Sequence, residues 1–376
     1  MIMKNNNENK ILNVPHLRFP EFSGEWNKYT INDLATVVGG GTPDTTVKSY
    51  WGGDIQWFTP SEIGKNKYVD FSKRTITRDG LDNSSAKLLP LHTILLSSRA
   101  TVGECSIASN ECTTNQGFQS LIAKQCNIDF LYYLIQTKKK DLIRNACGST
   151  FLEISANEIR KIKVAVPVQN EQEQIAKLLS LIDERIATQN KIIEKLQSLI
   201  KGLAAQLTQS GTPNIRLCDC LECHSSTLQE NCVSVTGSYP VYGATGLIGY
   251  TNNYAYNGES ILIVKDGSGV GSLSYVNDHF SVIGTLNYLT AKENYSILYL
   301  YYALMAFNFT PYITGMAIPH IYFKDYGKAK LFYPSIEKRI RIASLLHNIE
   351  QKLVVEQNLV ISLSAQKSYL LRMLFI

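Results

Sequence analysis

Long apolar runs and an excess of one charge sign are both missing from this 376-residue chain. No stretch of eighteen apolar residues occurs, which excludes an ordinary membrane-spanning helix, and residues 1–10 are polar and rich in asparagine. The chain is therefore predicted to be cytoplasmic, with a frayed N-terminus over residues 1–12. Because 37 Lys and Arg residues oppose 32 Asp and Glu residues, the net charge of +5 does not by itself indicate a nucleic-acid-binding protein.

The motifs of common enzyme classes are missing as well. The sequence has no Walker A motif, no dinucleotide-binding glycine motif, no Asn/Asp-Pro-Pro-aromatic motif of amino-methyltransferases and no HExxH. Pro43-Asp44 could open a nuclease motif, but no Glu-x-Lys follows at a suitable distance. These absences favour a non-catalytic binding protein, and no catalytic residue, cofactor or metal is predicted.

One cysteine cluster keeps a zinc hydrolase open as an alternative of a different class. The cluster lies within fifteen residues and comprises Cys218, Cys220, Cys223, His224 and Cys232. Its spacing fits no common two-pair zinc pattern, and the matched segment of the first half has no cysteine. Small buried residues at a strand-to-helix junction are the favoured interpretation.

The chain repeats itself after about 167 residues. The segment Pro167–Leu179 returns as Pro334–Leu346, and each copy opens a long helix with a seven-residue hydrophobic pattern. Each copy also follows a region rich in strand-forming, glycine and aromatic residues. A repeat of this length is a whole domain plus a helix, and it suggests a ligand that itself has two parts.

The two helices are predicted to form an antiparallel coiled coil. Gly211-Thr212-Pro213 is too short for the chain to double back after the first helix, so the second helix must return along it. Leu179 is then expected near Leu370 or Leu374, and Leu346 near Leu203 or Leu207. Three polar residues interrupt the hydrophobic rows: Gln189, Glu356 and Lys367.

The predicted fold class is mixed α/β, with two similar globular domains separated by the two long helices. The predicted boundaries are 13–166 and 211–333 for the domains, and 167–210 and 334–376 for the helices. Within the domains, strands are predicted at Thr93–Ser97, Arg216–Cys218 and Ser260–Val264, and short helices at Phe130–Ile135 and Leu298–Leu304.

Basic, aromatic and hydroxyl side chains in glycine-containing loops are the candidate DNA contacts. Arg99 and Lys265 are favoured because they occupy matching turns of the repeat; Arg99 is expected at a base edge and Lys265 at a phosphate. Fifteen of the 21 tyrosines lie between residues 213 and 333. The full candidate set is Thr42, Lys48, Tyr50, Trp51, Arg99, Tyr242, Thr245, Lys265 and Ser268.

Several motifs, together with the order in which they occur and the repeat, resemble those of the DNA specificity subunits of type I restriction–modification enzymes. They are Val14–Phe22, Gly24-Glu25-Trp26, Gly40–Pro43 with Tyr50-Trp51, Val241–Tyr250, and the helix start at Pro167–Leu179 with Glu171–Ala176. The resemblance covers the chain from about residue 14. At the second helix start, Glu337–Arg341 departs from the family's Glu-Gln pattern.

The resemblance implies two target-recognition domains, each reading half of a split double-stranded DNA site, and helices that set the spacer length. It also implies docking of two adenine-methyltransferase (modification) subunits, which bring S-adenosylmethionine, and of translocating restriction subunits. The residues assigned to the coiled coil and partner contact are Glu171, Gln172, Ile175, Leu179, Ile186, Ile193, Ile342, Leu346 and Leu353. A stand-alone bipartite DNA-binding regulator is the alternative function.

Overall fold

The computed structural model describes residues 2–3, 13–148 and 152–376, which divide into two compact units. Unit 1 is Met1–Thr188 with Leu359–Ile376, and unit 2 is Gln189–Asn358. The predicted frayed N-terminus, residues 1–12, lies outside the described residues except for the strand Ile2–Met3. The domain boundaries expected from the sequence stay predictions.

Unit 1 contains short strands, short helices and the ends of both long helices. Its strands are β1 (Ile2–Met3), β2 (Leu17–Arg18), β3 (Asn27–Thr30), β4 (Ala35–Gly39), β5 (Trp51–Phe58), β6 (Tyr68–Val69), β7 (Arg74–Ile76), β8 (Ile94–Leu96), β9 (Cys105–Ala108), β10 (Cys112–Thr114), β11 (Gln119–Ala123) and β12 (Lys163–Val166). Its helices are α1 (Ile31–Leu34), α2 (Arg78–Asp82), α3 (Ile128–Thr137), α4 (Lys139–Arg144), α5 (Ala156–Lys161) and α6 (Gln169–Thr208), which continues into unit 2, with 3-10 turns at Lys48–Tyr50 and Pro60–Glu62.

Eight of the twelve strands of unit 1 form a five-stranded sheet and a three-stranded sheet, and the other four form the pairs β1-β2 and β3-β12. The larger has the order β4-β11-β8-β9-β6, and the smaller has the order β10-β5-β7. Strands β5 and β7 are antiparallel with an irregular register between Trp51 and Ile55. Because of this irregularity, both Trp51 and Trp57 of β5 pair with residues of the short strand β7, and this pairing matters for the candidate site.

Unit 2 contains the second half of the repeat. Its strands are β13 (Ile215–Arg216), β14 (Leu221–Ser225), β15 (Tyr239–Gly243), β16 (Gly246–Thr251), β17 (Tyr256–Val264), β18 (Leu273–Val282), β19 (Leu286–Ala291) and β20 (Lys330–Leu331). Its helices are α7 (Leu217–Cys220), α8 (Ile297–Met305), α9 (Phe323–Tyr326) and α10 (Ile336–Leu374), whose last residues belong to unit 1, with 3-10 turns at Glu230–Cys232 and Thr310–Tyr312. A six-stranded sheet has the order β14-β19-β17-β18-β15-β16.

One short helix in each unit is capped in the same way and packs on the sheet. Asn127 accepts a hydrogen bond from the Phe130 amide at the start of α3, and Ser296 accepts one from the Tyr299 amide at the start of α8. Such side-chain caps satisfy amides that the first helical turn leaves without a partner. The predicted helices at Phe130–Ile135 and Leu298–Leu304 are confirmed, each within a slightly longer helix.

The long helices α6 and α10 run in opposite directions wherever they meet within a unit. In unit 1, Leu179 shares a core with Leu370 and Leu374. In unit 2, Leu346 belongs to a core against which Leu207 packs. The predicted mixed α/β fold with an antiparallel helix pair is confirmed in each unit.

The polar residues that interrupt the hydrophobic rows pair with one another or with a neighbour. The side-chain amide of Gln189, only 2% exposed, donates to the carboxylate of Glu356, which lies 167 residues later. In unit 1, the Lys367 ammonium lies 2.7 Å from a carboxylate oxygen of Asp183. The interruptions are therefore satisfied polar contacts inside the seam, as buried polar groups require.

Two local predictions are wrong in detail. The predicted strand Arg216–Cys218 ends at Arg216, and the helix α7 begins at Leu217, because Leu217 and Cys220 turn inward together onto the core. The cysteine cluster was expected to be buried, but Cys218 is only partly buried and Cys232 is exposed.

Candidate nucleic-acid interface

The glycines of the Gly40–Pro43 loop are required by close packing. A Cβ at Gly40 would overlap the backbone carbonyl of Asn115, and a Cβ at Gly41 would overlap Ser85. Larger residues at either position would therefore displace the loop. Thr42 follows directly and is partly exposed, with its hydroxyl donating to the side-chain oxygen of Gln116.

Two tryptophans donate hydrogen bonds to this loop and to the residue that follows it. The Trp57 indole N–H donates to the Gly41 carbonyl at 2.9 Å, and the Trp51 indole N–H donates to the Asp44 carbonyl at 3.1 Å. The two rings meet edge to face with centroids 5.0 Å apart. Trp57 is buried while Trp51 is partly exposed, so the loop rests on a rigid aromatic support.

Thr42 lies in this loop and Trp51 hydrogen-bonds to Asp44 beside it, whereas Tyr50 has a structural role through its backbone. The Tyr50 carbonyl accepts the Thr77 amide at 3.0 Å and closely approaches Gly80. Lys48 is exposed and begins the 3-10 turn that ends at Tyr50. The tryptophan pair also carries Arg74, which the sequence motifs did not single out: its guanidinium carbon lies 3.6 Å from the Trp51 ring centroid.

Arg99 lies in the turn after β8 and is engaged by a carboxylate. Its Nε and a terminal nitrogen donate to Glu153 Oε2 at 3.1 and 2.7 Å, and the Arg99 side chain is 46% exposed. The backbone of Arg99 also bridges Glu153. A DNA contact by Arg99 would therefore have to share the guanidinium with Glu153 or release it.

The turn after β17 in unit 2 repeats this backbone arrangement with different side chains. Asp266 bridges His320 there, as Arg99 bridges Glu153 in unit 1, and both residues of the bridge are displaced by the offset of the repeat. Asp266, rather than Lys265, is thus the counterpart of Arg99. Lys265 forms an ion pair with Asp266 at 2.5 Å, and Ser268 is exposed in the same turn.

The remaining predicted contacts lie on the β15–β16 hairpin. Thr245 is exposed at its tip, next to Gly246, whose φ of +105° is in a region that favours glycine. Tyr242 packs edge to face on Phe280 with centroids 6.4 Å apart, and burial raises the pKa of its hydroxyl. Thr245 is accessible to a ligand, whereas Tyr242 mainly supports the hairpin.

The residues at the start of α6 are enclosed by the chain itself. The carboxylate of Glu171 is fully buried, accepts two hydrogen bonds from Arg18 at 2.8 and 2.7 Å, and accepts the Trp26 indole N–H at 3.3 Å. Gln172 accepts the Asn127 amide at 3.0 Å. The N-terminal motifs therefore anchor the helix start.

The hydrophobic residues assigned to the helices differ in burial. Ile175, Leu179, Ile342 and Leu346 are at most 5% exposed, whereas the remaining three are partly exposed: Ile186, Ile193 and Leu353. Their burial supports a role in the coiled-coil seam. Contact of any of them with a partner protein stays a prediction.

In the part of the chain that the structure describes, no group of three His, Cys, Asp or Glu side chains is placed to hold a metal ion. His224 instead stacks on Tyr288 and hydrogen-bonds to Thr290. Within the same described residues, no helix combines the length and apolar character needed to cross a membrane.

Comparison with known proteins identifies the family. The family model described as "Type I restriction modification DNA specificity domain" matches residues 23–198 and 215–363. The chain is similar to the type I restriction enzyme MjaIX specificity subunit of Methanocaldococcus jannaschii, with 39% identity over 46% of this chain and 42% of that protein. The match thus spans less than half of that relative's length.

Two further relatives match over most of the chain. The type I restriction enzyme EcoprrI specificity subunit of Escherichia coli is 25% identical over 87% of each chain. The crystal structure of the type I restriction–modification S subunit from M. genitalium has a similar fold, with a TM-score of 0.65 and 19% identity over 96% of this chain and 99% of that one. Since the family model covers both halves of the repeat, the chain belongs to the family of type I restriction–modification DNA specificity proteins.

Proposed function

We propose that this chain is the DNA specificity subunit of a type I restriction–modification complex, with each repeat reading one half of a split double-stranded DNA site. The duplicated architecture is the observation that carries this proposal. Equivalent backbone bridges, Arg99 with Glu153 and Asp266 with His320, recur at the offset of the sequence repeat. Two copies of one domain with different loop side chains suit a site of two different halves.

The recognition domains would be residues 13–166 and 211–333, and the helices 167–210 and 334–376 would set the spacer. Spacing by helices is supported by the continuous 40-residue helix α6, since a helix rises about 1.5 Å per residue. The proposal is non-catalytic for this chain. Adenine-methyltransferase subunits would supply S-adenosylmethionine and the methyl-transfer chemistry, and restriction subunits would join the same complex.

Weak binding by the isolated chain is part of the proposal. Phosphate neutralisation dominates DNA affinity, and a net charge of +5 on 376 residues provides little of it. Adding the methyltransferase subunits should tighten binding and steepen its dependence on salt. A stand-alone regulator would instead bind a specific site tightly without any partner, and that result in a binding titration would overturn the proposal in favour of the alternative.

Domain exchange tests the two-reader arrangement. Residues 13–166 are replaced by the corresponding domain of another specificity subunit, and methylated sites are sequenced genome-wide in a host that also expresses the methyltransferase. We expect one half-site to change and the other half-site with its spacing to persist. The reciprocal exchange of residues 211–333 is the matched control. If either exchange altered both half-sites, the domains would not read separately.

A further inference from the structure

Arg74 is an exposed arginine that lies at the edge of the three-stranded sheet of unit 1. It is the register partner of Trp57 across β5 and β7. Its guanidinium carbon lies 3.6 Å from the Trp51 ring centroid and 5.5 Å from that of Trp57. The planar group is therefore stacked on one indole and flanked by the other, which fixes its orientation without using its N–H donors.

The backbone of Arg74 is fixed as firmly as its side chain. The Ser72 hydroxyl donates to the Arg74 carbonyl at 2.7 Å and accepts the Trp57 amide at 2.9 Å. The Trp57 indole N–H also donates to Gly41 of the Gly40–Pro43 loop, and the Trp51 indole N–H donates to Asp44, which follows that loop. Arg74 and this loop thus form one preorganised surface.

The donors of Arg74 are free, in contrast to those of the other arginines nearby. Among the described residues, no carboxylate or hydrogen-bond acceptor engages its guanidinium. Arg99 is held by Glu153 at 2.7 Å, and Arg78 pairs with Asp82 at 3.3 Å. An exposed and oriented guanidinium with unused donors is available to an acceptor on a ligand.

We propose that Arg74 is a specificity-determining residue of unit 1 that donates two hydrogen bonds to O6 and N7 of a guanine in the major groove. This inference rests on the proposed function. Guanine offers two acceptors on one edge, which match the planar fork of arginine. A phosphate contact is the competing assignment for this guanidinium; it carries no base identity and would weaken all duplexes alike.

The test uses the full chain in complex with its methyltransferase subunits and DNA duplexes in which each base pair of both half-sites is varied singly. Arg74→Ala should lower methylation of the preferred site roughly 5- to 150-fold and abolish discrimination at one G·C position of one half-site. Arg74→Lys should fail to restore that discrimination, because an ammonium lacks the fork. The other half-site should be read unchanged.

Arg78→Ala is the matched control, since it removes a nearby arginine of the same unit that already has a carboxylate partner. It should leave both half-sites unchanged. Tryptophan fluorescence of each variant verifies the fold around Trp51 and Trp57. A uniform loss over all duplexes, full activity of Arg74→Lys, or unchanged discrimination in Arg74→Ala would overturn the inference. Absence of any bipartite preference in the wild-type complex would instead refute the proposed function.

Discussion

The starts of the two long helices share a backbone contact and differ in almost everything around it. Gln172 donates to the Pro167 carbonyl at the start of α6, and Arg339 donates to the Pro334 carbonyl at the start of α10, at 3.0 and 2.7 Å. The two prolines are equivalent positions of the repeat. At both starts a long side chain reaches back to the proline carbonyl, although one is a neutral amide and the other a cation.

The surroundings of the two starts are opposite in charge and burial. Glu171 is sealed in unit 1 by Arg18 and Trp26, whereas its counterpart Lys338 is exposed and lies over the Phe332 ring at 5.2 Å. In this chain, the Glu-Gln pattern occurs at the helix start that Arg18 and Trp26 cover. The departure at Glu337–Arg341 reflects a different neighbour and leaves the helix itself intact.

A hydrogen bond between a short helix and a long helix recurs in both units. The Tyr133 hydroxyl donates to Asp183 at 2.6 Å, and the Tyr302 hydroxyl donates to Glu350 at 2.7 Å. The two carboxylates again occupy equivalent positions of the repeat. The duplicated scaffold thus retains its backbone bridges, apolar seam and this tyrosine–carboxylate contact, while the charges at the two helix starts differ with their neighbours.

The largest expected effect comes from breaking the anchor of α6. Glu171→Gln should lower the free energy of unfolding of unit 1 by about 3 kcal/mol, because it leaves Arg18 without its counter-charge in a site where Arg18 is only 13% exposed. All three tryptophans, at positions 26, 51 and 57, belong to unit 1, so the midpoint of tryptophan fluorescence during urea unfolding measures it.

The matched change at the other helix start is Lys338→Gln. We expect this change to lower the free energy of unfolding by less than about 0.5 kcal/mol, since Lys338 is exposed and away from a buried partner. Hydrogen exchange in the first turns of α6 and α10 compares the two directly. Equal losses of protection in the two variants would contradict the contrast between a sealed and an open helix start.

The next largest effect is expected at alkaline pH, which should destabilise unit 2 before unit 1 because unit 2 holds more buried tyrosines. Burial raises the pKa of Tyr299 to about 12, and burial followed by hydrogen bonding to Glu350 raises that of Tyr302; the pKa of Tyr326 is raised by burial as well. A tyrosine whose folded pKa is raised contributes stability below its unfolded pKa of about 10, and this contribution is lost as pH rises toward the folded pKa. Unit 2 should therefore unfold at lower pH than unit 1.

The alkaline prediction is checked by comparing tyrosinate absorbance of the whole chain with tryptophan fluorescence of unit 1 during a pH titration. The main rise in tyrosinate should precede the fluorescence change. Tyr302→Phe should cost about 1–2 kcal/mol at neutral pH and make the loss of stability in alkali less steep. Coincident transitions of the two signals would mean that the tyrosine content does not distinguish the units.

The polar pair Gln189–Glu356 offers a third test, within unit 2. Gln189→Leu should lower the free energy of unfolding of unit 2 by about 1–3 kcal/mol. The reason is that Glu356, whose side chain is 13% exposed, loses a hydrogen bond in an apolar seam. The double variant Gln189→Leu with Glu356→Leu should recover most of that loss. Hydrogen exchange of α10 gives the three free-energy differences of the cycle. Additive losses would show that the two side chains do not depend on each other.

Much of this architecture could be predicted from the sequence, because it is written in local periodicity. The seven-residue pattern identified the seam around Leu179 and Leu346, and a short connection decided the antiparallel direction. The Gln189–Glu356 contact could also have been predicted, because the two residues occupy equivalent positions of the repeat. Their contact was missed because each was considered only as an interruption of its own helix.

The parts that escaped prediction depend on contacts distant in sequence. Glu171 was assigned to the coiled coil and partner contact, whereas its carboxylate is buried against Arg18, 153 residues earlier. Arg74 belongs to no motif, and its position over Trp51 depends on an irregular strand register that residue spacing does not encode. Asp266 was missed as the counterpart of Arg99 because the second turn places a charged neighbour, Lys265, one residue before it.

The smallest expected effect concerns the two equivalent backbone bridges, and it tests whether the side chains of the bridge in unit 1 can be replaced by those of unit 2. Replacing Arg99 by Asp together with Glu153 by His places the bridge residues of unit 2, Asp266 and His320, into unit 1. Because the Arg99 and Glu153 side chains are 46% and 44% exposed, their ion pair should contribute only about 0.2–1 kcal/mol, and the double variant should unfold within that range of the wild type by tryptophan fluorescence. Arg99→Ala alone is the control and should cost no more, since Glu153 remains hydrated. A loss well above about 1 kcal/mol in the double variant would mean that the bridge requires its own charges, and that the two turns diverged under a structural constraint instead of through a change in what each turn contacts.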